Sequence, residues 1–353
     1  MKQTESASST KSQQSMGGLI GIRAVAMTQI INAKVPKLGK DSNAMKPITP
    51  ATRRALLPGR DGSLVAVEIP VVTASSLCGN MRRLLLTDLL KAIGLERAQL
   101  ATPNLAQSAR VLYHTLFCGG TLGLLKELVP DFTLETEINL RQEWPMISLL
   151  GASIGSSMIR SKVAFHDLVP ASRQLESHIP RAIQSVMDLQ DFDPVSALVL
   201  DSDEEAYSGS RAFDSKVPVP TVGTKRNKQK EPKNGEEAGN EEADAKNKNV
   251  YREGIKPRTG YIASGTPLMG WLELDSNLTD VEYGILGRGL RLLCDRGLLG
   301  GQSHIGFGRA DIQIVTGELD ESAYENWLRS NQKSMVALLT GQEAPVWLAK
   351  LNA

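Results

Sequence analysis

The chain has 353 residues, 41% of them apolar and 22% charged, with 40 Lys and Arg set against 39 Asp and Glu. A protein of this size and composition buries enough core to fold without disulfide or metal staples. Its net charge of +1 excludes a general attraction for phosphate, so basic groups that meet nucleic acid must be gathered on one face.

In chain order, residues 1–18 read as a disordered polar tail. "MKQTESASSTKSQQSM" lacks the apolar core of a secretory signal, and no apolar run has membrane-spanning length, so a soluble cytoplasmic protein with no membrane partner is expected. Cys78, Cys118 and Cys294 are scattered, without Cys-x-x-Cys pairing, which argues against a zinc site or a disulfide framework and fits a reducing compartment. From Leu19, "LIGIRAVAM" alternates as a strand, with Ile20, Ile22, Ala24 and Ala26 on one face. A long polar loop to about Gly62 follows, carrying Arg53, Arg54 and Arg60, whose competing readings are phosphate contact and a solvated surface. "SLVAVEIPVV" is then a second extended segment.

At "TASSLCGNMRRLLLTDLLKAIG" the period turns helical through Leu77, Met81, Leu85 and Leu89, with Ser75 or Ser76 as the cap and Gly94 as the stop. Residues 101–175 read as an insertion: a helix interrupted by a double glycine, then a strand in "MIRSKVAFHDLVP". The clearest boundary follows further on, where the mixed-charge run Thr224–Val250 holds no bulky apolar residue before Val250 and reads as a disordered loop.

Residues 261–353 restore order. Leu268, Leu272 and Leu274 share a strand face that excludes Trp271 and Glu273. Thr279 and Glu282 form a capping box, Tyr283, Leu286, Leu290 and Leu293 a helical stripe, and Gly297 the stop. Ala310, Ile312 and Ile314 face one way on a last strand, and residues 320–351 are helical, with Tyr324, Trp327, Leu328 and Met335 as packing positions. Taken together, the pattern predicts an α+β fold. Its centre is an RRM-like (ferredoxin-like) palm, with residues 19–100 as the first half, 261–353 as the second and an open sheet face of the kind that meets RNA.

Two stretches carry candidate chemistry. "TASSLCGNMRR" sets Ser75 and Ser76 at a helix start, where unpaired N–H groups and the helix dipole favour phosphate, with Asn80, Arg82 and Arg83 in the next turns. "GGQSHIGFGRADI" crowds Gly301, Gln302, Ser303, His304, Gly306, Phe307 and Arg309 between a helix and a strand. Glycines there permit close backbone approach to a ligand or a tight structural turn, and both readings stand. The order is the reverse of a P-loop, and no G-x-x-x-x-G-K-[ST] occurs, which disfavours nucleotide hydrolysis. His304 titrates near neutrality but stands without an evident partner; His114, His166 and His178 give no reason to converge on it. Acidic residues form no metal cluster, Asp41 reads as a solvated turn, and no cofactor is expected.

"VEIPVVTASSLCGNMRR", "MISLLGASIGSSMIRSKVAFHDLVP" and "LLGGQSHIGFGRADI" in this order resemble the RAMP superfamily of CRISPR-associated proteins. They correspond to its Ser-rich turn before G-x-x-R on a helix, its L-F-G-like segment (Leu149-Leu150-Gly151) before a strand ending in Asp-x-x-Pro, and its glycine-rich loop. The likeness covers roughly residues 19–315, excepting the charged insertion, and is nearest the backbone subunit of class-one effector complexes, type IV first and type I-D second. It implies a hand-like fold with a finger-like element in 101–175 and a thumb in 176–260. It implies a non-catalytic protein that polymerises with other copies along crRNA and presents the guide to a complementary target, preferably DNA, beside other effector subunits and a helicase. Ser75, Ser76, Asn80, Arg82, Arg83 and residues 301–309 would touch the guide. The alternative is a RAMP-type RNA endonuclease, processing guide precursor with His304 or cutting target RNA with Asp41.

Overall fold

The computed structural model describes residues 18–34, 49–59, 61–100, 104–120, 133–154, 157–201, 259–301, 303, 306–315 and 320–351. The N-terminal tail, Asp41, Arg60, Thr224–Val250, Gln302 and His304 lie outside the described residues.

β1 (Leu19–Ala26) opens the chain. The hairpin strands β2 (Thr52–Pro58) and β3 (Leu64–Pro70) follow, then α1 (Ala74–Ala92), α2 (Gln107–Cys118), α3 (Leu134–Glu143) and α4 (Pro145–Leu150). A small hairpin, β4 (Ala152–Ile154) and β5 (Ser157–Ile159), precedes β6 (Val163–Phe165). The paired strands β7 (Leu198–Asp201) and β8 (Thr259–Ile262) flank residues 202–258. β9 (Pro267–Leu274), α5 (Asp280–Arg296), β10 (Ala310–Ile314) and α6 (Ser322–Thr340) close the fold.

The main sheet has the order β10-β1-β9-β6 and every pairing is antiparallel; Val169–Pro170 adds a short fifth strand against β9. With α1 between β1 and β6, and α5 between β9 and β10, this is the strand-helix-strand-strand-helix-strand succession of the ferredoxin-like plan. Strand alternation decides what the sheet buries. Ile22 of β1 stands opposite Gly270 and Ile314, and Ala24 opposite Leu268 and Ile312, so one face is uniformly apolar. α1 covers it with Leu77, Met81 and Leu85, and α5 with Ile285, Leu286 and Leu290, all buried. Each such side chain contributes about 1.5–3 kcal/mol on leaving water.

Helix ends follow the residues that define them. Thr279 and Glu282 make the expected capping box, and Gly297 takes the left-handed conformation after α5. Tyr283 is exposed, so the buried stripe of that helix runs through Ile285 instead. Two ion-pair groups lock the helices together. Arg288 of α5 grips Asp88 of α1 with bonds of 2.8 and 2.5 Å, and with Arg291 it also holds Glu321, the residue before α6. The Asp88 carboxylate raises the Arg288 pKa above its ordinary value.

Two expectations change. The region read as one long loop contains β2, whose Ala55 and Leu57 point inward, while Arg53 and Arg54 make its sequence look like a loop. The second face of the sheet is not open. Leu19, Met269 and Trp271 on that face pack under Ala55, Leu57, Ile69 and Val71 of the hairpin and Leu175, Ile179, Ile183 and Met187 of the following segment. Beyond this cover lie Arg23, Val25, Asp311 and Gln313, and Arg23 is paired with Asp188 at 3.0 Å.

Candidate nucleic-acid interface

The start of α1 is built by three segments. Thr73 is the cap, its hydroxyl accepting from Ser76 N at 3.3 Å, which corrects the expected Ser75 or Ser76. Val72 exchanges backbone bonds of 2.9 Å with Leu168, so the Ser-rich turn is sewn to the segment after β6. Asp167 Oδ1 accepts from Ala74 N at 2.6 Å, and Oδ2 accepts from Arg53 Nε at 2.5 Å. A carboxylate therefore already answers the helix dipole where phosphate was expected. What this end still offers to solvent is the Ser75 hydroxyl, 3.2 Å from that of Thr73, and the Arg53 guanidinium. Ser76 is half-buried beneath them.

Further along α1, Arg82 and Arg83 diverge. Arg82 is only 5% exposed. Its Nη2 donates to Leu150 O and Gly151 O, both at 2.8 Å, and its guanidinium rests on Gly119, at the end of α2. Burial lowers its pKa from the ordinary value. Those carbonyls occupy Nη2, whereas Nη1 is buried without a hydrogen-bond partner among the described residues. Burial turns Arg82 from solvent, unlike the phosphate-facing position its sequence suggests, and it ties α1 to the ends of α2 and α4. Arg83 is exposed, and its Nη2 donates to Asn80 Oδ1 at 2.6 Å.

The glycine-rich loop is held from within. Gly301 N donates to Ile31 O at 2.8 Å, Gly308 N to Gln29 O at 2.8 Å and Leu299 N to Gly308 O at 2.7 Å. Met27 N and Thr28 N donate to Arg309 O, and Arg309 N donates to Thr28 Oγ1. Three backbone segments thus meet with no room for side chains: a Cβ at Gly300 would strike Ile31 O, and one at Gly308 would strike Leu299 O. Close approach is the role of these glycines, but the approaching groups are the chain's own backbone, Ile31 at Gly300 and Leu299 at Gly308. Ser303, Gly306 and Arg309 are exposed at the loop surface, and Phe307 is half-buried.

The structure therefore brings Arg53 to the start of α1 through Asp167 and puts Asn80 and Arg83 on the outer side of that helix. Arg54 is exposed on β2, opposite Glu68. The glycine loop is anchored separately, to the segment after β1. Asp167 was legible only as part of Asp-x-x-Pro; its position as the link between Arg53 and α1 depends on a contact across more than a hundred residues. Among the described residues no group of three or more His, Cys, Asp or Glu is arranged to hold a metal ion, and no helix is long and apolar enough to cross a membrane.

The class this defines is an α+β protein with an antiparallel sheet, helices on one face and a second small core on the other. No family model matches the chain, and neither does any curated protein. Solved structures that align over most of it include "Type IV-B CRISPR Complex", at 17% identity and a TM-score of 0.45, covering 84% of this chain and 90% of that one. Csc2 of Thermofilum pendens aligns at 14% identity and a TM-score of 0.35, over 95% and 85% of the two chains. Csm3 of Methanopyrus kandleri aligns at 10% identity and a TM-score of 0.33, over 84% and 76%.

Proposed function

We propose that this protein is a guide-RNA-binding backbone subunit of a class-one CRISPR effector complex, of the type IV kind, without catalytic activity of its own. The observation that carries the reading is the convergence of motif residues on α1. The arginine of G-x-x-R bonds the Leu150 and Gly151 carbonyls of the L-F-G-like segment, and the aspartate of Asp-x-x-Pro caps the Ser-rich turn. Motifs that merely happened to share a chain would have no reason to meet. They hold in place a helix whose outer side carries Asn80 and Arg83, with Arg53 beside its start.

In this reading Ser75, Arg53, Arg54, Arg83 and Arg309 contact the guide backbone, and bases stay available to a complementary target, so that pairing reads sequence. Residues 176–260 act as the thumb between guide segments, and copies assemble side by side with other effector subunits. The test is purification from cells expressing a guide RNA. A ribonucleoprotein of several copies is expected, and recovery of a nucleic-acid-free monomer that binds no RNA at low salt overturns the proposal. Replacing Arg53, Arg54, Arg83 and Arg309 together by Ser should weaken RNA of any sequence and reduce the slope of log affinity against log salt by about 3.

A further inference from the structure

β6 lies at the edge of the sheet, beside the cover over its second face. There Trp271 of β9 points away from α1 and α5, and the His166 imidazole lies against its indole, with centroids 4.5 Å apart and planes 21° from parallel. The pair is held in place: His166 N donates to Trp271 O at 3.0 Å, and Glu273 Oε1 lies 3.0 Å from His166 Nε2. The His166 side chain nevertheless stays 34% exposed, while Nε2 itself is covered from solvent. The ring, stacked by one face on the indole, thus keeps a third of its side-chain surface in solvent while Nε2 is turned away from it. The next residue, Asp167, holds the Arg53 guanidinium in the same neighbourhood.

We infer that His166 on Trp271 is a stacking platform for one base of a single-stranded RNA, with Arg53 placed for the adjoining phosphate. The inference rests on the RNA-binding reading above and adds a base-contacting subsite to it. Aromatic side chains standing on a sheet face bind unpaired bases this way, and the contact tolerates any sequence because every base has a π face. A ring already fixed by its neighbours loses little further freedom when a base docks on it.

The experiment compares two fluorescently labelled RNA backbones of equal length, one oligoadenylate and one abasic, bound by the full-length protein at fixed salt. Oligoadenylate should bind about ten-fold tighter. His166→Ala should remove most of that ratio while leaving the abasic affinity within about two-fold, and His166→Phe should restore it. Arg53→Ala should weaken both RNAs alike. An unchanged ratio in His166→Ala, or equal weakening of both RNAs by it, overturns the inference and leaves the RNA-binding reading standing. So does a His166→Ala effect confined to self-association, read by light scattering. Failure of the unaltered protein to bind either RNA overturns both.

Discussion

Arg82 and Arg83 are adjacent in sequence and opposite in fate. Arg82 turns inward, gives Nη2 to the Leu150 and Gly151 carbonyls and lies against Gly119, whereas Arg83 is exposed beside Asn80. A helix advances about 100° per residue, so neighbours cannot share a face, and in a protein of balanced charge the face decides what a cation does. A motif arginine is therefore no sign of ligand contact by itself. Here the motif residue builds the frame, and its neighbour outside the motif is the one that reaches solvent.

The largest expected effect lies on the inner side. Arg82→Ala leaves two buried carbonyls without a charged donor and opens space between α1, α2 and α4, and should cost about 3–4 kcal/mol in urea unfolding. Arg82→Lys, which keeps the charge but loses the planar fork, should recover only part of this. A loss for Arg82→Ala below about 1 kcal/mol, comparable with an exposed site, would erase the contrast between the two arginines.

The glycine loop repeats the contrast on a smaller scale. Gly308 has φ +80 and stands against Leu299 O, while Gly306 has φ +98 with open space around it. Gly308→Ala combines left-handed strain with collision and should cost at least about 2 kcal/mol; Gly306→Ala carries the strain alone and should cost about 1. Equal losses in thermal or urea unfolding would show that Gly308 is not packed against the Leu299 carbonyl.

How much of this could be read from the residues depends on the range of the contact. Local patterns were legible: the alternation of Ile20, Ile22 and Ala24, the Thr279–Glu282 capping box, the Gly297 stop and the Ala310–Ile314 face all appear where periodicity puts them. Contacts made at a distance were not. Nothing in "TRRALL" announces that Ala55 and Leu57 roof the sheet, because a short strand with two arginines and a proline looks like a loop until its partner is known. The same holds for the site. Arg82 reads as a phosphate contact until α2 and α4 arrive to bury it, and the helix start reads as an anion site until Asp167 fills it. Glycines announce close approach but not what approaches.

Acid should act on a third pair of regions. Glu282 is buried in the α5 capping box, bonded by Thr279 N at 2.8 Å and Lys162 Nζ at 2.9 Å. Burial alone would raise its pKa, but its bonds to Ser148, Thr279 and Lys162 outweigh that and hold it below the usual carboxylate value. A carboxyl depressed in the folded state contributes stability that is present above its unfolded pKa and is lost as pH falls through the lower folded value. The α5 cap should thus weaken only below about pH 4.5, by about 1 kcal/mol. Glu282→Gln should remove that part of the acid slope, and an unchanged pH profile in this variant would dissociate the cap from acid sensitivity.

The smallest effect on stability should come from Arg83, and it tests the opening contrast most directly. Among the described residues its guanidinium hydrogen-bonds only Asn80, on the same helix side, and such pairs contribute about 0.5 kcal/mol or less. Arg83→Ala should therefore leave urea unfolding almost unchanged. In RNA binding the order should invert. Removing one phosphate contact lowers affinity for every sequence by several-fold near physiological salt and reduces the salt slope by about 1. Arg82→Lys, read at a temperature where it is folded, should leave that slope intact because the side chain at this position is buried away from solvent. If Arg83→Ala proves as damaging to folding as Arg82→Ala, the outer side of α1 is part of the frame as well. If Arg82→Lys alters the salt slope and Arg83→Ala does not, the guide contacts lie on the other side of the helix.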